Sequence, residues 1–236
     1  MVSMLRILLI HILHPMQSRP SSFEAPHKGI RSFFGSILKL AGNADHNDPA
    51  EIESLCSSCE ELFELLHLHA SDENAVMLTH LDRKAPGASS HDRGDHDRLE
   101  GMQAELEQLV KEIRKGQVQL QQLNKLYSGL SLLFAEHLEH MHEEETVTQK
   151  LLWEHFTDEE LFAMRGEIMQ RLGADRMLMW WKHIIPAMRR TERAMMLNAV
   201  FGQAPPPFVE RVKALLPEWL GEKEWQRTQE LMLQPA

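Results

Sequence analysis

Apolar residues recur along most of the chain at intervals of three and four positions, a spacing that places them on one face of an α-helix. We find no sustained alternation of apolar and polar residues, the period of two that indicates a half-buried strand. Leu, Met, Glu, Gln and Ala, which favour helix, are abundant. The pattern therefore predicts an all-α protein.

Capping and turn residues divide the first two thirds of the chain into four long helices. Asp48 can cap a helix whose first residue is Pro49. Gly42 and Gly116 mark the ends of the first and third helices. The predicted helices cover about residues 23–40, 49–83, 89–115 and 117–156. Long helices with short connections predict an antiparallel up-down four-helix bundle over residues 23–156.

Residues 157–236 show a different pattern. Thr157 and Glu160 form a capping box that starts another helix. Glycines and prolines then interrupt the pattern, so that we expect short helices bounded near Gly173, Pro186, Gly202, residues 205–207 and Pro217. We predict a C-terminal helical cap or small subdomain that packs on the bundle through its tryptophans and offers a surface for a protein partner.

Residues 1–22 form a leader that we expect to be disordered or loosely packed. Its apolar run of about ten residues is too short to cross a bilayer. Arg6 and His11 also interrupt it. The polar segment QSRPSS follows without the small-residue cleavage site of a signal peptide. We therefore predict no membrane span.

The net charge and the cysteine content indicate which classes of partner and which cellular compartment suit the protein. The formal net charge of -10 at pH 7 argues against nucleic acid and anionic membrane surfaces, which attract clustered lysine and arginine. Cations and proteins are the partners that remain. Two cysteines, Cys56 and Cys59, are too few for a disulfide framework and suit a cytoplasmic protein. Their CxxC spacing lies inside an amphipathic pattern, which favours small apolar residues over a redox pair.

Fourteen histidines are present, and several of them interrupt apolar stripes. In the second helix, steps of four and three residues give Leu55, Cys59, Leu62, Leu66, His69, Glu73, Val76 and His80. In the fourth helix they give Leu123, Leu126, Leu130, Leu133, His137, His140, Glu144, Val147 and Leu151. Each stripe contains a histidine followed four residues later by a glutamate, at positions that face a bundle core.

The first and third helices each add one inward histidine. His27 leads a stripe that continues through Ile30, Phe34 and Ile37. His96 leads a stripe that continues through Leu99, Met102, Leu106, Leu109 and Ile113. A lone histidine on an apolar stripe is usually a core residue with a satisfied hydrogen bond. Four of them together with two glutamates predict a metal site.

The physical reason is the cost of burying charge, which reaches several kcal/mol for an unpaired group. A bound divalent cation would offset this cost, and imidazole nitrogen with carboxylate oxygen suits iron, manganese or zinc. A glutamate from each of two helices could bridge two metals. His137 could be a spare ligand, but a hydrogen bond to a backbone carbonyl is the favoured interpretation. We expect His67 and His142 to face outward.

The segments EAPHKGIR, HLHASDE, GDHDRLE and FAEHLEHMHEEE, in this order, resemble the hemerythrin-like (HHE) cation-binding family over about residues 23–156. The resemblance implies a non-haem di-iron centre with two iron ions, and functions that include oxygen binding, oxygen or iron sensing, and reaction with nitric oxide or peroxide. Carried over by position, the metal ligands are His27, His69, Glu73, His96, His140 and Glu144.

One position departs from the family pattern. Oxygen-carrying hemerythrins have HxxxH on the third helix, whereas here Glu100 follows His96 by four residues. We expect Glu100 to face water, so that one metal has a ligand fewer. An open position favours a small diatomic or oxo ligand, or redox chemistry, over faithful reversible oxygen carriage.

Three functional hypotheses remain. The leading one is a protein that binds or senses through a di-iron centre. The second is an oxidative, peroxide-detoxifying or nitric-oxide-detoxifying enzyme, although we find no catalytic motif and only one tyrosine, Tyr127. The third is a structural helical protein with a histidine-rich core and no metal.

Overall fold

The structure is a computed structural model that describes residues 19–116 and 118–233. Every regular element within these two ranges is helical, and they contain no strand. The all-α prediction is therefore confirmed for the described part of the chain. None of the helices described is long and apolar enough to cross a membrane.

The described ranges consist of α-helices joined by short connections and by two π-helical segments. The α-helices are α1 (Glu24–Asn43), α2 (Pro49–Asp72), α3 (Leu78–Lys84), α4 (Ser90–Lys115), α5 (Leu120–Glu143), α6 (Gln149–His155), α7 (Asp158–Ala187), α8 (Arg190–Gln203), α9 (Pro206–Leu220) and α10 (Glu222–Met232). The π segments are π1 (Glu73–Met77), between α2 and α3, and π2 (Glu144–Thr148), between α5 and α6. The second and fourth predicted helices are thus continuous helical runs, each with one π-helical turn.

A side-chain cap fixes the start of α2. The carboxylate of Asp48 accepts hydrogen bonds from the backbone N–H groups of Ala50 and Glu51, at 2.9 and 3.2 Å. Pro49 occupies the first helical position, where a missing N–H breaks no intrahelical bond. The sequence therefore determines this helix start locally.

Glycine and proline shape the C-terminal helices as expected from their backbone chemistry. Gly173 lies inside α7 with a φ of 69° and a ψ of 176°, a conformation that a residue without Cβ adopts without strain. Pro186 and Pro217 fall in the last turns of α7 and α9. A lost backbone hydrogen bond at the end of a helix does not interrupt its interior.

The described residues form two compact units. One unit contains the residues up to Gly29 and those from Gln149 onward, and the other is Ile30–Thr148. The domain boundaries predicted after residues 22 and 156 differ from the limits of these two units. The predicted boundaries stay predictions.

In the unit Ile30–Thr148, α2 packs against α4 and α4 packs against α5. Phe34 of α1 stacks on Phe134 of α5 with ring centroids 4.7 Å apart. The apolar residues buried in this unit include Ile30, Ile37, Leu55, Leu62, Leu106, Ile113, Leu126 and Leu130. These residues lie on the apolar stripes predicted for the four long helices, and their burial confirms these stripe positions.

The other unit has a core of its own, with α7 against α9 and α8 against α10. Trp180, Trp181 and Trp225 are buried in it. The buried Arg193 donates hydrogen bonds to the backbone oxygens of Ile185 and Met188, at 3.0 and 3.1 Å. These bonds offset much of the cost of burying its charge.

Residues 1–18 of the predicted leader lie outside the described residues. The described residues Arg19 and Pro20 make hydrogen bonds to other residues of the first unit. Arg19 donates to the carboxylate of Asp158 at 2.8 Å and to the backbone oxygen of Phe156 at 2.6 Å. The indole of Trp153 donates to the backbone oxygen of Pro20 at 2.9 Å. Arg19 and Pro20 are thus held against α6 and the start of α7.

The CxxC cysteines, Cys56 and Cys59, are both fully buried. Burial, with smaller effects from Cys56 and Glu60, raises the pKa of Cys59 to about 12, and a neutral, buried thiol is a poor nucleophile. We expect a disulfide reagent at mildly alkaline pH to leave native protein unmodified and to titrate both thiols in denaturant. Rapid reaction of either thiol in the native protein would contradict their assignment as core residues.

Candidate metal centre

Both π segments begin at a glutamate that follows a histidine by four residues. π1 begins at Glu73, four residues after His69, and π2 begins at Glu144, four residues after His140. At π1 the backbone N–H of Leu78 donates to the oxygen of Glu73, five residues earlier. A π turn contains one residue more than an α turn requires, and such turns are frequent at functional sites.

The extra residue changes which side chains face inward after each glutamate. The predicted stripe placed Val147 and Leu151 in the core, but Val147 is 56% exposed, Leu151 is half-buried, and Thr148 and Leu152 are buried instead. That part of the prediction is wrong because a strictly α-helical register was assumed through Glu144.

The same shift of one residue follows Glu73. His80, which the predicted stripe placed inward, is half-buried, while the next residue, Leu81, is fully buried. The register is therefore displaced by one residue after both inward glutamates.

Four buried side chains from π1, α4, α5 and π2 converge in the unit Ile30–Thr148. Donor atoms of Glu73, His96, His140 and Glu144 all lie within 4.8 Å of one another. Nε2 of His96 is 3.5 Å from Oε2 of Glu73 and 3.7 Å from Oε1 of Glu144. Nε2 of His140 is 3.4 Å from the same Oε1. These separations exceed ordinary hydrogen bonds, so the atoms surround a common point.

His69 extends this cluster through the two glutamates. Its Nδ1 is 3.4 Å from Oε1 of Glu73, and donor atoms of His69, Glu73 and Glu144 also lie within 4.8 Å of one another. Both carboxylates therefore belong to two donor groups at once, the arrangement that bridging ligands between two ions require.

His27 is the one predicted ligand that lies in the other unit. It is fully buried in the first turn of α1, and its ring stacks on Phe23 with centroids 5.5 Å apart. The structure thus brings five of the six predicted ligands together in one unit. The place of His27 in the ligand set stays a prediction.

Two residues outside the predicted stripes, Asn74 and Asp95, lie beside the outer ring nitrogens of the imidazoles. Nδ1 of His96 is 3.1 Å from Oδ1 of Asn74, which leaves Nε2 directed at the two carboxylates. Nδ1 of His140 is 3.5 Å from Oδ2 of Asp95. Fixing one ring nitrogen by an outer partner sets the tautomer and orientation of a metal-binding histidine. Neither residue lies on an apolar stripe, so periodicity gives no signal for them.

The electrostatics of the cluster favour a positive charge at its centre. Burial alone would lower the pKa of His96, but the hydrogen-bonding and charge effects of Glu144 and Glu73 outweigh it and raise the pKa to about 10. Nε2 of His96 nevertheless has no partner at hydrogen-bonding geometry among the described residues. A buried nitrogen directed at two carboxylates fits a metal ligand.

Three other histidines behave as predicted, His137 as a core residue and His67 and His142 as outward-facing residues. Nδ1 of His137 bonds the backbone oxygen of Leu133 at 2.9 Å, and burial lowers the pKa of His137 to about 4, so this histidine is a neutral core residue. His67 and His142 are exposed. Glu100 is exposed as well, and its Oε1 is 3.4 Å from Nδ1 of His67. The third helix therefore has an exposed glutamate at the position where the HxxxH pattern has its second histidine.

The donor set fits a divalent cation of iron, manganese or zinc type, because it combines imidazole nitrogens with carboxylate oxygens. The hemerythrin HHE cation-binding domain family matches residues 21–152. The chain belongs to this family. Membership assigns it a metal-binding domain, and the buried histidines and glutamates are side chains that could hold the cation.

Curated relatives match about two thirds of the chain. The F-box/LRR-repeat protein 5 of Xenopus laevis is 23% identical over 155 residues, which are 66% of this chain and 23% of that protein. The proteins of the same name from Mus musculus and Danio rerio are also 23% identical, over 66% of this chain and 22% of their own length. The chain thus spans less than a quarter of the length of these relatives.

A buried hydrogen bond beside the cluster holds π2 against α4. Oγ1 of Thr148 donates to Oδ2 of Asp92 at 2.8 Å. Burial, opposed by this bond and reinforced by the charge of Glu144, raises the pKa of Asp92 to about 6. The hydroxyl therefore stabilises a carboxyl group with little access to water.

Replacing Thr148 by valine removes this donor and leaves the buried carboxyl of Asp92 without it. We expect Thr148→Val to lower the free energy of unfolding of metal-free protein by about 1–3 kcal/mol, measured by urea denaturation. Thr146→Val is the matched control, because its hydroxyl bonds the oxygen of His142 at the surface. Equal stabilities of the two variants would show that the buried bond contributes nothing.

Proposed function

We propose that the chain is a non-haem di-iron binding protein of hemerythrin type. His27, His69, Glu73, His96, His140 and Glu144 are the proposed ligands of two iron ions. The observation that carries this proposal is the sharing of Glu73 and Glu144 between two buried donor groups. Two bridging carboxylates offset the mutual repulsion of two cations held close together.

The proposed scaffold is an antiparallel up-down four-helix bundle built from α1, the α2–α3 run, α4 and the α5–α6 run. Contacts of α4 with α2 and with α5 support it. So does the pairing of α1 with the fourth run, through the Phe34–Phe134 stack and through Arg31, which donates to both carboxylate oxygens of Glu145 at 2.6 and 3.1 Å. Each run would then direct one histidine inward.

Two observations support His27 as the sixth ligand. It is fully buried although it carries a polar ring. It also precedes Phe34 by seven residues on the uninterrupted helix α1, and that spacing places both side chains on one helix face. Phe34 faces His137 with ring centroids 5.4 Å apart. At Phe34 this face of α1 therefore packs on α5.

The open coordination position underlies the proposed role. Bound iron would supply redox chemistry and a site for a small molecule such as oxygen or nitric oxide. Glu100 faces solvent, so the protein offers no histidine there to close the position. The side chains that remain hold the centre rigidly and exclude bulk water. This combination suits sensing or handling of a diatomic ligand or of iron itself.

Binding and sensing are favoured over an oxidative enzyme by the position of Tyr127. This residue is 45% exposed and precedes the proposed ligand His140 on α5 by about 20 Å along the helix axis. The single tyrosine of the chain is thus unsuited to transfer electrons at the cluster. Other divalent metals, manganese or zinc above all, suit the same donors, so metal identity has to be measured.

Elemental analysis of anaerobically purified, iron-reconstituted protein tests the proposal. We expect about two irons per chain, together with near-ultraviolet absorption that develops in air. Both should be lost in His69→Ala. The matched control is His67→Ala, which removes an exposed histidine two residues away on the same helix and should retain the metal. If the protein keeps its helical fold and binds no iron, the proposal is wrong and the buried histidines have a structural role only.

The open position predicts imperfect reversibility towards oxygen. We expect the reduced, iron-loaded protein to oxidise within a few cycles of air and deoxygenation, because an unsaturated metal is accessible to ligands other than oxygen. Absorption spectra recorded after each cycle measure the fraction that recovers. Full recovery through many cycles would instead indicate an oxygen carrier.

A further inference from the structure

A second group of potential metal ligands lies at the surface of the unit Ile30–Thr148. Donor atoms of His91, Asp95 and Glu143 all lie within 4.8 Å of one another. Nε2 of His91 contacts Oε2 of Glu143 directly and is 3.7 Å from Oδ2 of Asp95. The side chain of His91 is 66% exposed and that of Glu143 37%, so hydrated ions can reach this group.

This surface group is connected to the buried centre through one atom. Oδ2 of Asp95 is 3.7 Å from Nε2 of His91 on the outer side and 3.5 Å from Nδ1 of His140 on the inner side. The opposite nitrogen of His140, Nε2, is 3.4 Å from Glu144. The imidazole of His140 therefore has the surface group on one edge and the buried carboxylates on the other.

The backbone reinforces this connection. Glu143 is the last residue of α5 and Glu144 the first of π2, so consecutive carboxylates serve the outer and the inner groups. On α4, Asp95 precedes the inner ligand His96 by one residue. The two helices that carry the outer donors thus each carry one inner histidine as well, His96 on α4 and His140 on α5.

The donor chemistry of the outer group suits a transient cation site. One imidazole and two carboxylates match the preferences of Fe²⁺, Mn²⁺ and Zn²⁺. Two ligands of one such ion lie roughly 3–4 Å apart, given metal–ligand distances of roughly 2.0–2.2 Å, which small side-chain rotations achieve here. Arg98 donates to Oδ1 of Asp95 at 3.2 Å, and the positive charge of Arg98 limits the affinity of the outer group for a cation. Oδ2 of Asp95 stays directed at His91 and His140.

We propose that His91, Asp95 and Glu143 form a solvent-facing divalent-metal site through which ions enter the buried centre. This inference rests on the proposed function, because it requires the inner centre to hold metal. An arriving hydrated ion exchanges water for the imidazole of His91 and the two carboxylates. It then passes along Asp95 and His140 to the inner carboxylates, with no change of oxidation state. Asp95 is the donor common to both stages.

Metal-loading kinetics test this proposal. Full-length metal-free protein is mixed with limiting Co²⁺ under anaerobic conditions, and the absorption of the bound ion is followed by stopped flow. We expect His91→Ala to load about tenfold more slowly than wild type, an effect at the low end of those that a steering site has on association rates, because the arriving ion loses the imidazole ligand of the entry site. Glu143→Gln should show a similar effect, since it retains the shape of the side chain and removes its charge.

Two further measurements distinguish an entry site from a structural role. Equilibrium titration with Co²⁺ should give the same tightly bound ions in wild type and His91→Ala, with one weak additional ion only in wild type. Since the inner affinity is then unchanged, release of the tight ions to a chelator must slow by the same factor as loading. Circular dichroism verifies that the variant keeps its helical content.

His67→Ala is the matched control, because His67 is an equally exposed histidine beside a carboxylate, at 63% exposure and 3.4 Å from Glu100. It should load and release at the wild-type rates. If His91→Ala also loads at the wild-type rate while wild type binds its tight ions, the entry site is wrong and the di-iron proposal stands. If wild type binds no tight ion, both proposals fall.

Discussion

The burial of two carboxylates, Glu73 and Glu144, is the constraint on which the rest of the centre depends. Both are almost inaccessible to solvent, and an uncompensated buried charge costs several kcal/mol. Against the opposing effect of burial, the two carboxylates raise the pKa of His96 to about 10. A divalent cation would offset the cost of burying the two carboxylates more completely than a proton would, since it carries a larger charge and binds both carboxylates at shorter range.

Such a centre also places demands on its surroundings. Asn74 bonds the ring of His96, Asp95 lies 3.5 Å from the ring of His140, and the bond from Thr148 to Asp92 holds the second π turn against α4. Each of these contacts joins different elements of one unit. Stability and metal binding are therefore coupled in this protein, because the same polar network determines the packing of the helices and the positions of the ligands.

The sequence allows the helices and the inward histidines to be predicted, because apolar spacing reports directly which face of a helix is buried. His69, His96 and His140 interrupt such faces, and all three are buried. The one-residue shift after each glutamate was not predictable, since a π turn depends on hydrogen-bond geometry and leaves no mark in composition. Asn74 and Asp95 lie off the apolar stripes, and only three-dimensional contacts identify them.

The π turns have a consequence for how this chain compares with others of its kind. A π turn is equivalent to one residue inserted into an α-helix, and it rotates all that follows by about 100° around the helix axis. A relative that holds its glutamates in purely α-helical runs would therefore align with this chain only through a single-residue gap within Glu73–Met77 and another within Glu144–Thr148. Such paired gaps would mark insertions retained at Glu73 and Glu144, where each extra residue has to be accommodated without loss of the downstream core.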